Sequence, residues 1–417
     1  MGPHSDPVAF VALALAVILI AAKLGGHVAQ RIGQPAVLGE LLVGVVLGNL
    51  GLAGLNWLEP IKSDATIDIL ARLGVIILLF EVGLESTVRE MLHVGGRAIV
   101  VGVLGVVVPW LLGWAVGAAL LPDHSMYVHL FLGAVLTATS VGITARVFRD
   151  LGRSQSAEAR IILGAAVIDD VLGLVILAVV AGLITAADSG TSLSLGEIGL
   201  VLAKAAVFLV GALWLGLAIS PRLFAAGARL RGDSVLLAIA LASCFFLSWL
   251  AAEIGLAAIV GAYAAGLILE PAHYQAFAAK GERPLEDLLR PIASFLVPVF
   301  FVVIGMRVDL AAFARADVVG LAAVLTLAAV AGKQVCGLGA LGTTLDGLSI
   351  GIGMVPRGEV GLIFASLGLG LSVRGEQVID AGLYAAVVIM VMVTTLVTPP
   401  ALKWSLGRAD RRSDNAP

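Results

Sequence analysis

Residues 165–174 read AAVIDDVLGL, so Asp169 and Asp170 stand side by side within the apolar stretch IILGAAVIDDVLGLVILAVVAGL. Burial and mutual repulsion both resist the joint ionisation of two close carboxylates, which brings one of them into the range of proton exchange near neutral pH. Hard carboxylate oxygens also suit a small cation. Adjacent side chains leave a helix about 100° apart, so one can face a cavity while the other meets a partner inside the protein. A structural ion pair accounts for one aspartate and leaves the second unexplained. Lys333, in LAAVAGKQVCGLG, is the lone charge of its stretch. Pairing it with an aspartate lowers the burial cost of both. It is then either a structural counter-ion or a second proton carrier.

Two further stretches carry polar groups where apolar ones are expected. LTATSVGITA (136–145) contains Thr139 and Ser140, and GMVPRGEVGL (353–362) contains Arg357 and Glu359 among Pro356, Gly358 and Gly361. Both read as interrupted helices. Unwound backbone frees carbonyls to coordinate a cation, and half-helix ends present dipole charges. Thr139 and Ser140 offer oxygen ligands, or else bond back to helix carbonyls. Arg357 and Glu359 either neutralise the facing helix ends or serve structure alone. Glu40, Glu81 and Glu253 lie nearer the ends of their stretches and read as packing or interfacial groups. Lys204 reads as a side chain that snorkels.

The elements holding these residues follow from composition. Of 417 residues, 60% are hydrophobic and 13% charged, and the mean hydropathy is +1.06. Soluble domains carry about 25% charged residues, so this is an all-α polytopic membrane protein. Runs of about 20 apolar residues predict thirteen transmembrane helices at 8–24, 35–52, 66–84, 96–121, 127–147, 160–184, 196–218, 234–252, 256–270, 288–306, 316–341, 346–370 and 377–402. The first is followed by Lys23 and Arg31 rather than a small-residue cleavage site, which predicts a retained helix rather than a signal peptide. With the N-terminus outside, eighteen Lys and Arg residues fall in cytoplasmic segments and five opposite. That asymmetry predicts an external N-terminus and a cytoplasmic C-terminus in the plasma membrane.

The halves repeat. GHVAQRIGQPAVLGELLVGVVLG (26–48) matches SWLAAEIGLAAIVGAYAAGLILE (248–270) at an offset of 222, Gly83 meets Gly305 at the same offset, and AAVIDD (165–170) meets AAVVIM (385–390) at 220. Six helices therefore repeat after six. The seventh is a connector whose odd number inverts the second copy, a build found in secondary transporters. At Asp169 and Asp170 the second copy has Ile389 and Met390, so the scaffold itself does not demand carboxylates there.

Other chemistries lack residues. No Walker A, dinucleotide fingerprint or HExxH spacing occurs, and no nucleophile–base constellation supports an enzyme. Cys244 and Cys336 lie in separate apolar stretches and read as small packing side chains. No cofactor and no nucleic-acid partner is expected.

ATSVGITARV, ARIILGAAVIDDVLGLVILAVV, the isolated GK at 332–333, GMVPRGEVGLI, IGQPAVLGELLVGVVLG and LLFEVGLE resemble the monovalent cation:proton antiporter family. The paired aspartates resemble its electrogenic branch, and the resemblance covers nearly the whole chain. It implies that Asp170 carries the cation and the proton, with Asp169 beside it paired to Lys333. It assigns the hydroxyls of the first broken helix to Thr139 and Ser140, and makes the two broken helices cross. It implies a dimerisation domain from 1–95 and 233–312, a core ion-transport domain from 96–190 and 313–403, a connector at 191–232 and a short tail at 404–417. It further implies a homodimer with an elevator-like core that exchanges two protons for one sodium. The expectation is thus Na+ (or Li+)/H+ antiport, with protons and cation competing for the aspartates. K+/H+ exchange on the same scaffold is the alternative. A cation channel or sensor, which needs no protonatable pair, and an organic-anion symporter, which the aspartates disfavour, stand further off.

Overall fold

The computed structural model describes residues 7–55, 58–85, 95–153, 156–188, 195–230, 234–269, 277, 282–343 and 345–414. Among these the chain is helical apart from one two-stranded ribbon, Ser372–Val373 paired antiparallel with Glu376–Gln377. The helices are α1 (Pro7–Arg31), α2 (Ala36–Gly48), α3 (Glu59–Ser63), α4 (Ala65–Glu85), α5 (Gly96–Leu120), α6 (Met126–Thr137), α7 (Val141–Asp150) and α8 (Ala157–Asp188). They continue as α9 (Leu195–Gly227), α10 (Val235–Glu253), α11 (Ala258–Ile268), α12 (Leu285–Met306), α13 (Ala316–Gln334), α14 (Gly347–Gly353), α15 (Glu359–Leu369) and α16 (Ala381–Asp414). Among the described residues seven helices are long and apolar enough to cross a bilayer, and four shorter apolar helices accompany them. The protein is a helical multi-pass membrane protein.

The chain folds as two compact units. One comprises Met1–Arg89 and Leu193–Arg307, the other Glu90–Ser192 and Val308–Pro417. In the first, glycines let helix backbones touch, the packing that membrane helices use in place of a hydrophobic driving force. A Cβ on Gly39 of α2 would strike the backbone of Gly25 in α1, and one on Gly261 of α11 would strike that of Leu247 in α10. Across the unit, Gly44 abuts Val302 and Gly305 abuts Leu41, while Gly266 abuts Phe80 and Gly83 abuts Tyr263. Each contact recurs with both partners displaced or exchanged by 222 positions. Gly74, meanwhile, meets Leu296, its own counterpart at that offset. Outside these interfaces, Asp68 of α4 receives hydrogen bonds from Arg72 at 2.7 Å and from Arg307.

Close packing of this kind tolerates no added volume. Gly305→Val should destabilise the protein by about 1–3 kcal/mol through overpacking. The check is a lowered thermal midpoint of the detergent-solubilised protein, and an unchanged midpoint contradicts the packing argument.

In the second unit α5 packs on α6, α8 and α13, around a core that includes Val101, Phe148, Ile162, Cys336, Ile350 and Leu402. Its interruptions fall within the predicted segments 127–147 and 346–370: α6 stops at Thr137 and α7 resumes at Val141, and α14 stops at Gly353 before α15 begins at Glu359. The last helix differs from the sequence-based expectation of 377–402. The ribbon and a turn occupy its predicted start, Asp380 caps it by accepting from Leu383 N at 2.7 Å, and it continues to Asp414 through Pro399 and Pro400. Threonine hydroxyls in apolar helices bond back to carbonyls one turn earlier. Here Thr394 donates to Met390 O at 2.8 Å and Thr398 to Thr394 O at 2.7 Å. The predicted tail, 404–417, is therefore helical over its described part.

Candidate functional site

Asp169 sits mid-way along α8, a helix apolar enough to hold it in the interior. Lys333 is the penultimate residue of α13. Lys333 Nζ donates to Asp169 Oδ1 at 2.6 Å, and both side chains are 0% exposed. Removing two charges from water costs several kcal/mol each, which only close pairing repays. Gly105 of α5 makes room for the pair. A Cβ there would lie 3.2 Å from Asp169 Oδ1, 3.3 Å from Lys333 Nζ and 3.1 Å from Cys336 Sγ. The pairing is incomplete, since Asp169 Oδ2 is buried without a hydrogen-bond partner among the described residues. Asp170, one position on, keeps partial exposure.

The two helix interruptions are bonded to each other. Ser140 N donates to Pro356 O at 2.8 Å, Thr139 Oγ1 to Met354 O at 3.5 Å and Thr144 Oγ1 to Gly353 O at 2.6 Å. Arg357, fully buried, directs Nη1 at Thr137 O (3.2 Å) and at Ala138 O. A cation on the last carbonyls of α6 offsets the negative end of that half-helix. Its Nε and Nη2 have no hydrogen-bond partner among the described residues. Thr395 of α16 braces the second break by donating to Arg357 O. Asp169, Lys333 and Arg357 are near enough to act electrostatically on one another.

Of the residues that the sequence singles out, Asp169 and Lys333 form one pair, and Thr139, Ser140 and Arg357 meet at the breaks. Glu359 opens α15, but its side chain lies outside the described residues. Lys204 is exposed on α9, Glu253 is exposed at the end of α10 and Glu40 is buried in α2, all within the first unit. Sequence reasoning missed Thr144, Thr395 and Gly105. Thr144 lies in the hydroxyl-rich segment already noted, whereas nothing local distinguishes Gly105 or Thr395 from other small residues of apolar helices.

Gly358 matters to this arrangement because an added Cβ would lie 2.5 Å from Ser140 Oγ and 2.6 Å from Ser140 Cβ. Gly358→Ala should therefore separate the two breaks and cut cation transport by roughly 10–100-fold, as ångström-scale displacements do at positioned sites. Transport assays on protein matched for folded fraction would test this, and undiminished activity would contradict the bracing.

Among the described residues no group of three His, Cys, Asp or Glu side chains is placed to hold a metal ion. Comparison with known proteins adds the wider frame. The family profile described as sodium/hydrogen exchanger, transmembrane, matches residues 13–407. The chain is 39% identical to the high-affinity Na+/H+ antiporter NhaS3 of Synechocystis sp., over 94% of this chain and 89% of that protein. It is 35% identical to the Na+/H+-K+ antiporter GerN of Bacillus cereus, over 95% and 96%. Among solved structures, the sodium proton antiporter MjNhaP1 of Methanocaldococcus jannaschii at pH 8 shares the fold. Its TM-score is 0.69 at 18% identity, covering 96% of this chain and 98% of that one.

Proposed function

The chain belongs to the sodium/hydrogen exchanger family, and from that premise we propose that it is a secondary active, electrogenic Na+(Li+)/H+ antiporter. The observation that carries this reading is the wholly buried Asp169–Lys333 pair, next in sequence to Asp170 and in the same unit as two hydrogen-bonded helix breaks. Asp170 binds either the cation or a proton. Asp169 and Lys333 adjust the charge beside it, with Thr139 and Ser140 contributing oxygens, and Arg357, with Glu359, offsetting the half-helix ends. Occupancy by cation or proton compensates the buried charge and lets the core move, while an empty, charged site crosses the apolar barrier poorly. That rule couples the two fluxes. Names of similar proteins support the substrate: NhaS3 is an Na+/H+ antiporter and GerN an Na+/H+-K+ antiporter.

The proposal extends to architecture. Thirteen spans, external N-terminus and cytoplasmic C-terminus follow from hydropathy and from the distribution of Lys and Arg. The reciprocal contacts at offset 222, with Gly74 against Leu296, support two inverted repeats. The unit holding Asp169 and Lys333 is the moving core. The other unit holds the connector and most of the dimerisation domain of a plasma-membrane homodimer working by an elevator motion.

Proteoliposomes with an imposed Na+, Li+ or K+ gradient test the function. Internal pH should respond to Na+ and Li+, with net charge moved per cation and a steep dependence on pH as protons and cation compete. Response to K+ in preference to Na+ favours the K+/H+ alternative, which the K+ in GerN's description motivates. Current without proton coupling overturns antiport.

A further inference from the structure

The short half-helix α14 brings the chain to the second break, with Ile350 in the core of its unit and with Gly347 and Gly351 close against Gly337 and Gln334. Alongside this packing, α16 ties the segment at the start of α14 and just beyond its end, and Glu158 Oε1 of α8 accepts from Asp346 N at 3.5 Å. At its start Asp346 caps it, accepting from Ser349 N at 3.1 Å and Ser349 Oγ at 2.6 Å. From α16, Ser405 Oγ approaches the same carboxylate oxygen at 3.1 Å and Ser349 Oγ at 2.8 Å. Two hydroxyl protons thus serve three oxygens. Arg408 Nη2 donates to the other oxygen, Asp346 Oδ1, at 2.7 Å, with its guanidinium 5.8 Å from the Trp404 ring centroid. Ser349 and Ser405 are 0% exposed, so the hydroxyl half of this joint is interior. At the far end Thr395 donates to Arg357 O. The ties therefore run antiparallel: 346 to 405 and 408, and 357 to 395. The ten to thirteen residues between the α16 ties span about 15–20 Å at 1.5 Å per residue, and Pro399 and Pro400 lie between them.

Between these ties lie the carbonyls of Gly353, Met354 and Pro356, the acceptors for Thr144, Thr139 and Ser140 N. Sliding α14 along α16 moves all of them together. We propose that Asp346 and Arg408 are positioning residues for the ion site: their ion pair, with Ser349 and Ser405, sets the axial position of α14 and so the geometry of the break that Thr139 and Ser140 face. The inference rests on reading that break as part of a cation site. It requires no contact between either residue and the ion.

The pair is partly exposed, at 25% for Arg408 and 17% for Asp346, so its loss alone costs little stability. That makes function the discriminating readout. In proteoliposomes, Arg408→Gln should raise the KM for Na+ by roughly 3–10-fold while kcat stays within about twofold, a positional effect well below the ~100-fold of a full ångström's displacement. Arg408→Lys, which keeps a charge for Asp346, should restore a near wild-type KM, and Ser405→Ala should fall between. Na+ titration of the thermal midpoint reads the same weakening as binding, without turnover. An unchanged KM with a lowered thermal midpoint overturns the proposal, because the joint would then only stabilise, and so does equal impairment by Arg408→Gln and Arg408→Lys. If Arg408→Gln does not fold, the Ser405→Ala comparison decides in the same way. Wild-type protein that moves no proton against Na+, Li+ or K+ overturns the antiport reading instead. Wild-type transport with unshifted variants overturns this inference alone.

Discussion

Asp170→Asn is expected to reduce cation-driven proton movement in proteoliposomes to the level of protein-free vesicles. Asn is nearly isosteric with Asp, so packing in α8 should survive, yet it can neither ionise nor release a proton in the working pH range. The neighbouring Asp169 cannot take over, because its Oδ1 is held by Lys333 at 2.6 Å in a fully buried pair. Asp170, one residue on, differs in keeping partial exposure. Asp170→Glu keeps the carboxylate and should keep part of the exchange, with an altered cation KM because the longer arm moves the charge. Exchange at the wild-type rate in Asp170→Asn would remove Asp170 from the mechanism.

The second large effect concerns stability. Lys333→Met should cost about 3–5 kcal/mol, the range for stripping one partner from a buried ion pair. The cost is set by what stays behind: Asp169 Oδ2 already lacks a hydrogen-bond partner among the described residues, and the substitution would take Oδ1's as well. Asp169→Leu alone should cost a similar amount by stranding the ammonium. Combining the two replaces an ion pair with apolar volume, which is often neutral or stabilising. The double variant should therefore recover most of the loss. Thermal midpoints or denaturant titrations in detergent, arranged as a double-mutant cycle, report the coupling. Additive losses would mean that Asp169 and Lys333 do not depend on each other, contrary to their geometry.

Much of this protein was legible from local signals. Apolar run length marks membrane helices because the bilayer sets their length. The interruptions at 138–140 and 354–358 were readable because proline, glycine and hydroxyl residues break apolar helices by their own backbone chemistry. Asp169, Asp170, Lys333 and Arg357 stood out through the cost of charge in such a setting. Partnership was another matter. Asp169 and Lys333 are 164 positions apart, and Arg357 spends its Nη1 on the carbonyls of Thr137 and Ala138, 220 and 219 positions away.

The sequence by itself determined a multi-pass helical chain, its two broken helices and a short set of costly charges, because each depends on residues within a turn or two. The tertiary structure decided which aspartate the lysine takes, which carbonyls the arginine covers, that a side chain at Gly358 would strike Ser140 and one at Gly105 would crowd the ion pair, and that Asp346, Ser405 and Arg408 tie α14 to α16. Those depend on distances between segments far apart in the chain. A hydrogen bond requires its partners within about 3 Å, and no local pattern of residue types encodes that.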